Sequence, residues 1–330
     1  MKLKKLNRFE LPFSALGYGC WGISGGHSWS MSDDQQSIAT IHTAIEGGVN
    51  FFDVAPVYGL GHAESVLGQA LKGKQRESLI IASKCGLVWN DANEVSNNLS
   101  TDSLMAEIDQ SLARLGVEYL DLYQIHWPNS EYPLEEILQA LEAIKASGKV
   151  RHLGVSNFSL AMLTEACELS AIDSFQGLYN MLERNPESYH GIGLDYRSEA
   201  EILPYCQQHG LAFFPYSPLM QGLLGGQFDA SQLHENDVRM NNPKLRGEQL
   251  KKYLEIVATL QQFAAELGKP LSELAINWLA DQDAVTSVIA GAATPEQVQA
   301  NLKAMAWELS AADRQALELR LQPYKAEGLL

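Results

Sequence analysis

Residues 17–22 read GYGCWG, a match to G-x-G-x-x-G, and the resolution of that match decides the fold. In a doubly wound dinucleotide-binding domain these glycines turn a strand directly into a helix whose N-terminus receives a pyrophosphate, with an acidic residue about 20 positions further on. Here the next residues are ISGGHSWSMSDD, helical spacing begins only near Gln36, and Asp53 lies more than 30 residues past Gly22. The helix arrives too late, so the glycines are read as the end of a strand.

Outward from that strand, β-prone runs alternate with helical spacing, the pattern of a parallel sheet covered by helices. The runs are ALGYGC, VNFFD, LIIASK, YLDLYQIH, HLGVSN, SFQGLY, LAFFPYS and TSVIAG. Helical patterns run from Gln36 to Glu46, Ala63 to Leu71, Thr101 to Leu115, Pro133 to Ala146, Leu160 to Leu169 and Glu199 to His209, with two more between Gln249 and Ala280. Ser100 or Thr101 can cap a helix start, Gly148 can end the helix after Lys145, and Thr294-Pro295-Glu296 opens another. No Ser/Gly/Pro-rich linker divides the chain. The expectation is a single (β/α)8 TIM barrel domain over residues 1–330, with a small N-terminal hairpin up to Phe13 capping one end and an extra helix and tail from about residue 311.

With 330 residues, 46% of them hydrophobic, the chain has ample material for a core. Its net charge of −16 repels phosphate backbones and anionic membrane surfaces, which argues against nucleic-acid or membrane partners. Cys20, Cys85, Cys167 and Cys206 are too scattered for a disulfide framework or a zinc site. The N-terminus lacks the apolar core of a secretory signal and no run is long enough to span a bilayer. A reduced cytoplasmic protein is the simplest reading, and oligomeric state is not readable.

In such a barrel, functional groups gather at the C-terminal strand ends. Polar residues recur there: Asp53, Lys84, His126, Ser156 with Asn157, Gln176, and Tyr216 with Ser217, with Tyr58 in the loop after Asp53. Asp53, Tyr58, Lys84 and His126 lack metal-ligand spacing, and no G-x-S-x-G elbow is present. They leave a phenol beside an ammonium, an imidazole and a carboxylate. The Lys84 cation is expected to favour the phenolate and lower the Tyr58 pKa from its usual value near 10, with Asp53 keeping Lys84 charged and His126 bonding a substrate oxygen. This is a general acid for a carbonyl oxygen, and the carbon then needs a hydride, which only a cofactor supplies. His62 and His152 have no evident chemical partner.

These residues resemble the aldo-keto reductase family over nearly the whole chain, in particular its bacterial short-loop members of the general-stress and inositol-utilisation kind. GGVNFFDVAPVYGLGHAESVLGQAL, IIASKCG and YLDLYQIHWPN are similar to the segments that carry the family's catalytic Asp, Tyr, Lys and His, implying those roles for Asp53, Tyr58, Lys84 and His126. The resemblance further implies a nicotinamide cofactor along Cys20, Trp21, Asp53, Ser156, Asn157 and Gln176, with Tyr216 stacked on the ring. Ser217, Pro218, Leu219, Gln221 and Arg239 would follow the pyrophosphate, and Gly291, Ala293, Gln297 and Asn301 the adenine end. Trp21, Trp89 and Trp127, with Tyr58 and His126, would frame a small carbonyl or alcohol substrate, whose identity lies in the loop Leu87–Ser100 and the C-terminal tail.

Two positions depart from the family: Gln227 stands where a lysine is common, and Ala293 where Arg, Lys or Ser usually meets a ribose 2′-phosphate. Ala293 offers no side-chain hydrogen bond, so NAD(H) is possible. NADP(H) is nevertheless favoured, because Arg239 and the helix start after Thr294 can both attract phosphate. The expected reaction is reduction of an aldehyde or ketone. Its alternatives are a sugar or pyridoxal-type dehydrogenase using the same four residues in reverse, a redox-sensing or channel-associated subunit with little turnover, and a Schiff-base enzyme with Lys84 as nucleophile.

Overall fold

Eight of the β-prone runs pair into one parallel sheet in the computed structural model, which describes residues 1–25, 33–226, 228 and 237–330. In chain order the strands are β1 Leu16–Gly19, β2 Phe51–Asp53, β3 Ile80–Cys85, β4 Leu120–Ile125, β5 Val150–Ser156, β6 Ile172–Leu178, β7 Ala212–Tyr216 and β8 Val288–Gly291. Each pairs in parallel with its sequence neighbour from β1 to β7, and β8 returns to pair with β1, Gly291 beside Gly19. Between β7 and β8 the ladder is replaced by two bonds: Thr286 N–H donates to Phe213 O at 2.9 Å, and Phe213 N–H to Thr286 Oγ1 at 3.2 Å. The result is a nearly closed barrel of eight strands with helices around it.

The helices are α1 Asp34–Glu46, α2 His62–Leu71, α3 Thr101–Leu115, α4 Leu134–Ala146, α5 Leu160–Leu169, α6 Leu203–His209, α7 Gly247–Glu266, α8 Leu271–Ala280, α9 Pro295–Lys303 and α10 Ala311–Ala326. Side-chain caps fix several starts: Ser100 accepts from Ser103 N–H, Ser159 from Met162 N–H and Thr294 from Gln297 N–H, each satisfying a donor the helix leaves unpaired. Gly148, at φ +83°, ends the chain's run after α4 with its N–H on Lys145 O. The pattern expected from Glu199 opens instead as a π-helical turn, Ser198–Ile202, before α6. The rejected nucleotide fingerprint ends in a 3-10 turn, Cys20–Ile23, and α1 starts only at Asp34.

The lower end of the barrel is plugged. Leu3–Lys4 pairs with Phe13–Ser14 in an antiparallel hairpin, which inserts Phe9 and Phe13 among Phe51, Ile80, Ala82, Leu122, Ala212, Phe214 and Ile289. Phe51 stacks on Phe214 at 4.6 Å and meets Phe13 edge-on at 5.2 Å, the offset and T-shaped geometries that aromatic quadrupoles prefer. Gly17 permits this, since a Cβ there would stand 2.6 Å from the Phe51 ring. Lys4 Nζ donates to Gln282 O and Val285 O, and Arg8 donates to Ile172 O and His209 O. His152, left without a partner by the sequence, joins here with Nδ1 3.0 Å from Asp173 and Nε2 3.1 Å from Glu10. His62 is likewise partnered, with Asp34 at 2.8 Å.

Candidate active site

At the opposite end the parallel register sets Asp53, Lys84, His126, Ser156, Gln176 and Tyr216 at or just beyond the C-terminal ends of β2 to β7. Lys84 is fully buried, and its Nζ donates to Asp53 Oδ2 at 2.7 Å, Asp53 Oδ1 at 2.8 Å and Val54 O at 3.1 Å, with Tyr58 Oη at 3.4 Å. Gln176 Nε2 adds a bond to Asp53 Oδ1 at 2.8 Å. A buried ion pair is tolerated only when its remaining hydrogen-bonding capacity is met, and these bonds meet it. They also occupy Nζ as a donor to three oxygens, so no free amine is presented as a Schiff-base nucleophile would need.

Tyr58 sits between that pair and His126, whose ring meets it edge-on at 5.8 Å. Burial pushes the Tyr58 phenol well above its ordinary value, and the Asp53 carboxylate adds to the rise. This corrects the expectation that Lys84 would lower it: desolvation of the phenolate outweighs the neighbouring cation. Tyr58 therefore holds its proton at neutral pH. Burial first, and the Lys84 charge second, hold the His126 imidazole well below its ordinary value. It is a neutral ring beside a protonated phenol, which together can hydrogen-bond an oxygen and release a proton to it.

Asn157, at φ +62°, braces this centre. Its Nδ2 donates to His126 O and to Ser156 Oγ, both at 3.1 Å, while its Oδ1 accepts from Tyr216 Oη at 2.9 Å and Tyr196 Oη at 3.1 Å. Cys20 and Cys85 are buried thiols, pushed well above their ordinary values by burial, and are not thiolates.

A nicotinamide dinucleotide fits the residues around this centre. Cβ atoms on Gly22, Gly222 and Gly291 would meet nothing nearer than 3.7 Å, leaving an unobstructed rim across the ends of β1, β7 and β8. Gln176 Oε1 has no protein partner among the described residues, so it can accept from a carboxamide. Ser217, Met220 and Gln221 all have positive φ, a bent run that carries Pro218 and Leu219 over the end of β7. At the far end, Ala293 N–H already donates to Gln297 Oε1 at 2.7 Å, and Asn301 reaches back to Gly291 O. Arg239 is gripped by Asp237 through Nε at 2.8 Å and a terminal nitrogen at 2.6 Å. Gln227 lies outside the described residues.

Of the tryptophans, Trp21 lies 6.4 Å from the Tyr58 ring. Trp127 follows His126, and its carbonyl is tied to Asn97 of the antiparallel ribbon Leu87–Trp89 and Val95–Asn97. Trp89 is placed over the Arg114 guanidinium at 5.8 Å, on the α3 side. The helix α10 packs on α7, with Arg320 on Glu266 and Glu318 on Arg184.

Sequence reasoning missed that ribbon and also a second hairpin beyond it, Ser188–Tyr189 with Ile192–Gly193, which reaches the site instead. Its His190 ring is edge-on to Trp21 at 6.1 Å, and Gln221 binds His190 Nε2 at 2.6 Å. Asn180, Asn242 and Lys244, also unforeseen, fasten the neighbouring backbone: Asn180 donates to Ser217 O, Asn242 to Gln221 Oε1, and Lys244 to Glu183 and Ser188 O. The readable signal was Gly191, a glycine at the second corner of a two-residue turn.

Residues 15–319 match the model of the aldo/keto reductase family. The chain is 33% identical over 326 residues to the NADH-specific methylglyoxal reductase of Escherichia coli, covering 95% of this chain and 96% of that one. It is 32% identical over 313 residues to the aldo-keto reductase YhdN of Bacillus subtilis, covering 94% and 90%. Among solved structures it resembles the glycerol dehydrogenase AKR11B4 of Gluconobacter oxydans with a TM-score of 0.85 at 32% identity, covering 97% and 94%.

Proposed function

Since the chain belongs to the aldo/keto reductase family and is thereby a nicotinamide-dependent oxidoreductase, we propose that it reduces a small aldehyde or ketone to an alcohol with Tyr58 as the general acid. The observation that carries this reading is the protonated phenol of Tyr58, packed between the Lys84–Asp53 pair and the neutral ring of His126. Tyr58 gives its proton to the carbonyl oxygen; the Lys84 cation, 3.4 Å from Tyr58 Oη, steadies the phenolate that results. His126 orients the same oxygen, and Asn157 fixes the His126 backbone. Asp53 and Gln176 keep the ammonium in place. The bound nicotinamide supplies the hydride. By microscopic reversibility the same residues serve alcohol oxidation, the direction named for the Gluconobacter glycerol dehydrogenase.

For the cofactor, we favour NAD(H), against the NADP(H) preference expected from the sequence. Three observations support this. The Ala293 N–H is occupied by Gln297, the Arg239 cation is neutralised by Asp237, and the Escherichia coli relative is named NADH-specific. Only the helix start after Thr294 still favours a phosphate. The whole chain is proposed to act as one barrel domain.

The test is a fluorescence titration of wild type and Tyr58→Phe with NADH and NADPH, followed by carbonyl reduction with the tighter cofactor. Tyr58→Phe is expected to keep its cofactor affinity and lose about 10²- to 10⁴-fold in kcat, the usual worth of a positioned acid. Undiminished turnover would remove Tyr58 from the mechanism. Tighter binding of NADPH would reverse the cofactor preference.

A further inference from the structure

The turn of the second hairpin consists of His190 at φ +50° and Gly191 at φ +82°. Two-residue turns of this kind favour Asn, Asp or Gly at the first corner, so the turn itself gives no reason for a histidine. The side chain does. Its ring is held edge-on to Trp21 at 6.1 Å and edge-on to Tyr189 at 4.5 Å, and its Nε2 is bound by Gln221. The residues before it hold the hairpin still: Lys244 donates to Ser188 O, while Tyr189 meets Tyr216 edge-on at 5.2 Å. Lys244 is itself paired with the buried Glu183, so it is not a spare cation for a substrate.

The other ring nitrogen, Nδ1, has no protein partner among the described residues and is not sealed from solvent. Burial, helped by the Lys244 charge, holds the ring below its ordinary histidine value, so at neutral pH it is an uncharged group. One indole separates it from Tyr58. Set beside Trp21 and not in ring contact with Tyr58, it is placed to meet the end of a substrate remote from the reacting carbonyl, where an anchored polar atom would select for a hydroxyl and against a bare hydrocarbon.

We infer that His190 is a specificity-determining residue that hydrogen-bonds a hydroxyl distal to the carbonyl, so that the site selects short hydroxylated aldehydes and open-chain sugars over plain alkyl aldehydes of equal length. This rests on the carbonyl-reductase reading above. The readout is the ratio of kcat/KM for 4-hydroxybutanal to that for butanal, in wild type, His190→Phe, His190→Gly and His190→Asn, with NADH affinity measured alongside. Wild type is expected to prefer the hydroxylated aldehyde. His190→Phe, and His190→Gly, which suits the turn, are expected to lower the ratio about three- to tenfold, the worth of one hydrogen bond. His190→Asn is expected to restore part of it. A ratio unchanged in both His190→Phe and His190→Gly, whatever their absolute rates or cofactor affinity, would make His190 only a brace for Gln221 and overturn the inference. A wild type that binds NADH yet turns over neither aldehyde overturns the carbonyl-reductase reading itself, and this inference with it.

Discussion

The two ends of the barrel each hold a histidine, and the two are driven in opposite directions. At the upper end His126 faces the Lys84 cation, and burial and that charge both keep it neutral. At the lower end burial alone would depress His152, but the hydrogen bonds and charges of Asp173 and Glu10 overcome it and raise the value. Arg8 and Lys145 approach the same Asp173, at 3.5 and 3.9 Å, and Arg151 flanks Glu10. One ring is left neutral beside Tyr58; the other fastens the N-terminal hairpin to β5 and β6. What a buried polar residue does is set by its partners across the barrel, and chain position carries little of that information.

The sharpest break of this contrast is Lys84→Met. It removes the cation beside Tyr58 and leaves Asp53 buried and uncompensated, so kcat is expected to fall at least about 10²-fold and unfolding stability by about 3–5 kcal/mol, read by steady-state kinetics and urea denaturation. Next comes Phe51→Ala at the lower end. It should cost about 3–5 kcal/mol through the cavity it opens, while kcat at low temperature stays close to wild type; a loss of turnover matching that of Lys84→Met would erase the distinction between the ends. The smallest effect is expected from His152→Gln, and it lies in the pH dependence. Because the folded value of His152 is raised, its stabilisation is full below the ordinary 6.5 and is lost as pH climbs through the folded value. Glu10 is lowered, so its share is present above the ordinary 4.5 and is lost as pH falls. Thermal melts of wild type should thus decline from pH 6 to 9 relative to those of His152→Gln, and parallel curves would show that the lower histidine contributes no charge.

Much of the upper end was readable because its residues sit at or near where strands stop, and strand ends are marked where an apolar, β-prone run meets a polar residue. Asp53 and His126 follow that rule most clearly, while Gln176 lies two residues inside β6. Helix limits were readable where a capping side chain marks them, as at Ser100 and Thr294. What the sequence could not show was how burial competes with charge, which reversed the expected direction at Tyr58. Nor could it show that Arg239 spends its guanidinium on Asp237, two residues away. The second hairpin was lost for a different reason. Its strands are two residues long, too short for alternation to register, and only its place in space ties His190 to Trp21 and Gln221.

The plug at the lower end bears on how the molecule is made. Lys4 bonds to carbonyls 278 and 281 positions further along the chain, and Phe13 packs against Phe214. On the ribosome these N-terminal groups must wait until nearly all the remaining chain has been synthesised, because their acceptors do not yet exist. Until then Phe9, Phe13 and Phe51 lack the partners that cover them in the folded barrel, and uncovered apolar surface of that kind favours aggregation. Seating the hairpin is thus a late step of assembly, and it registers that the last strand has arrived.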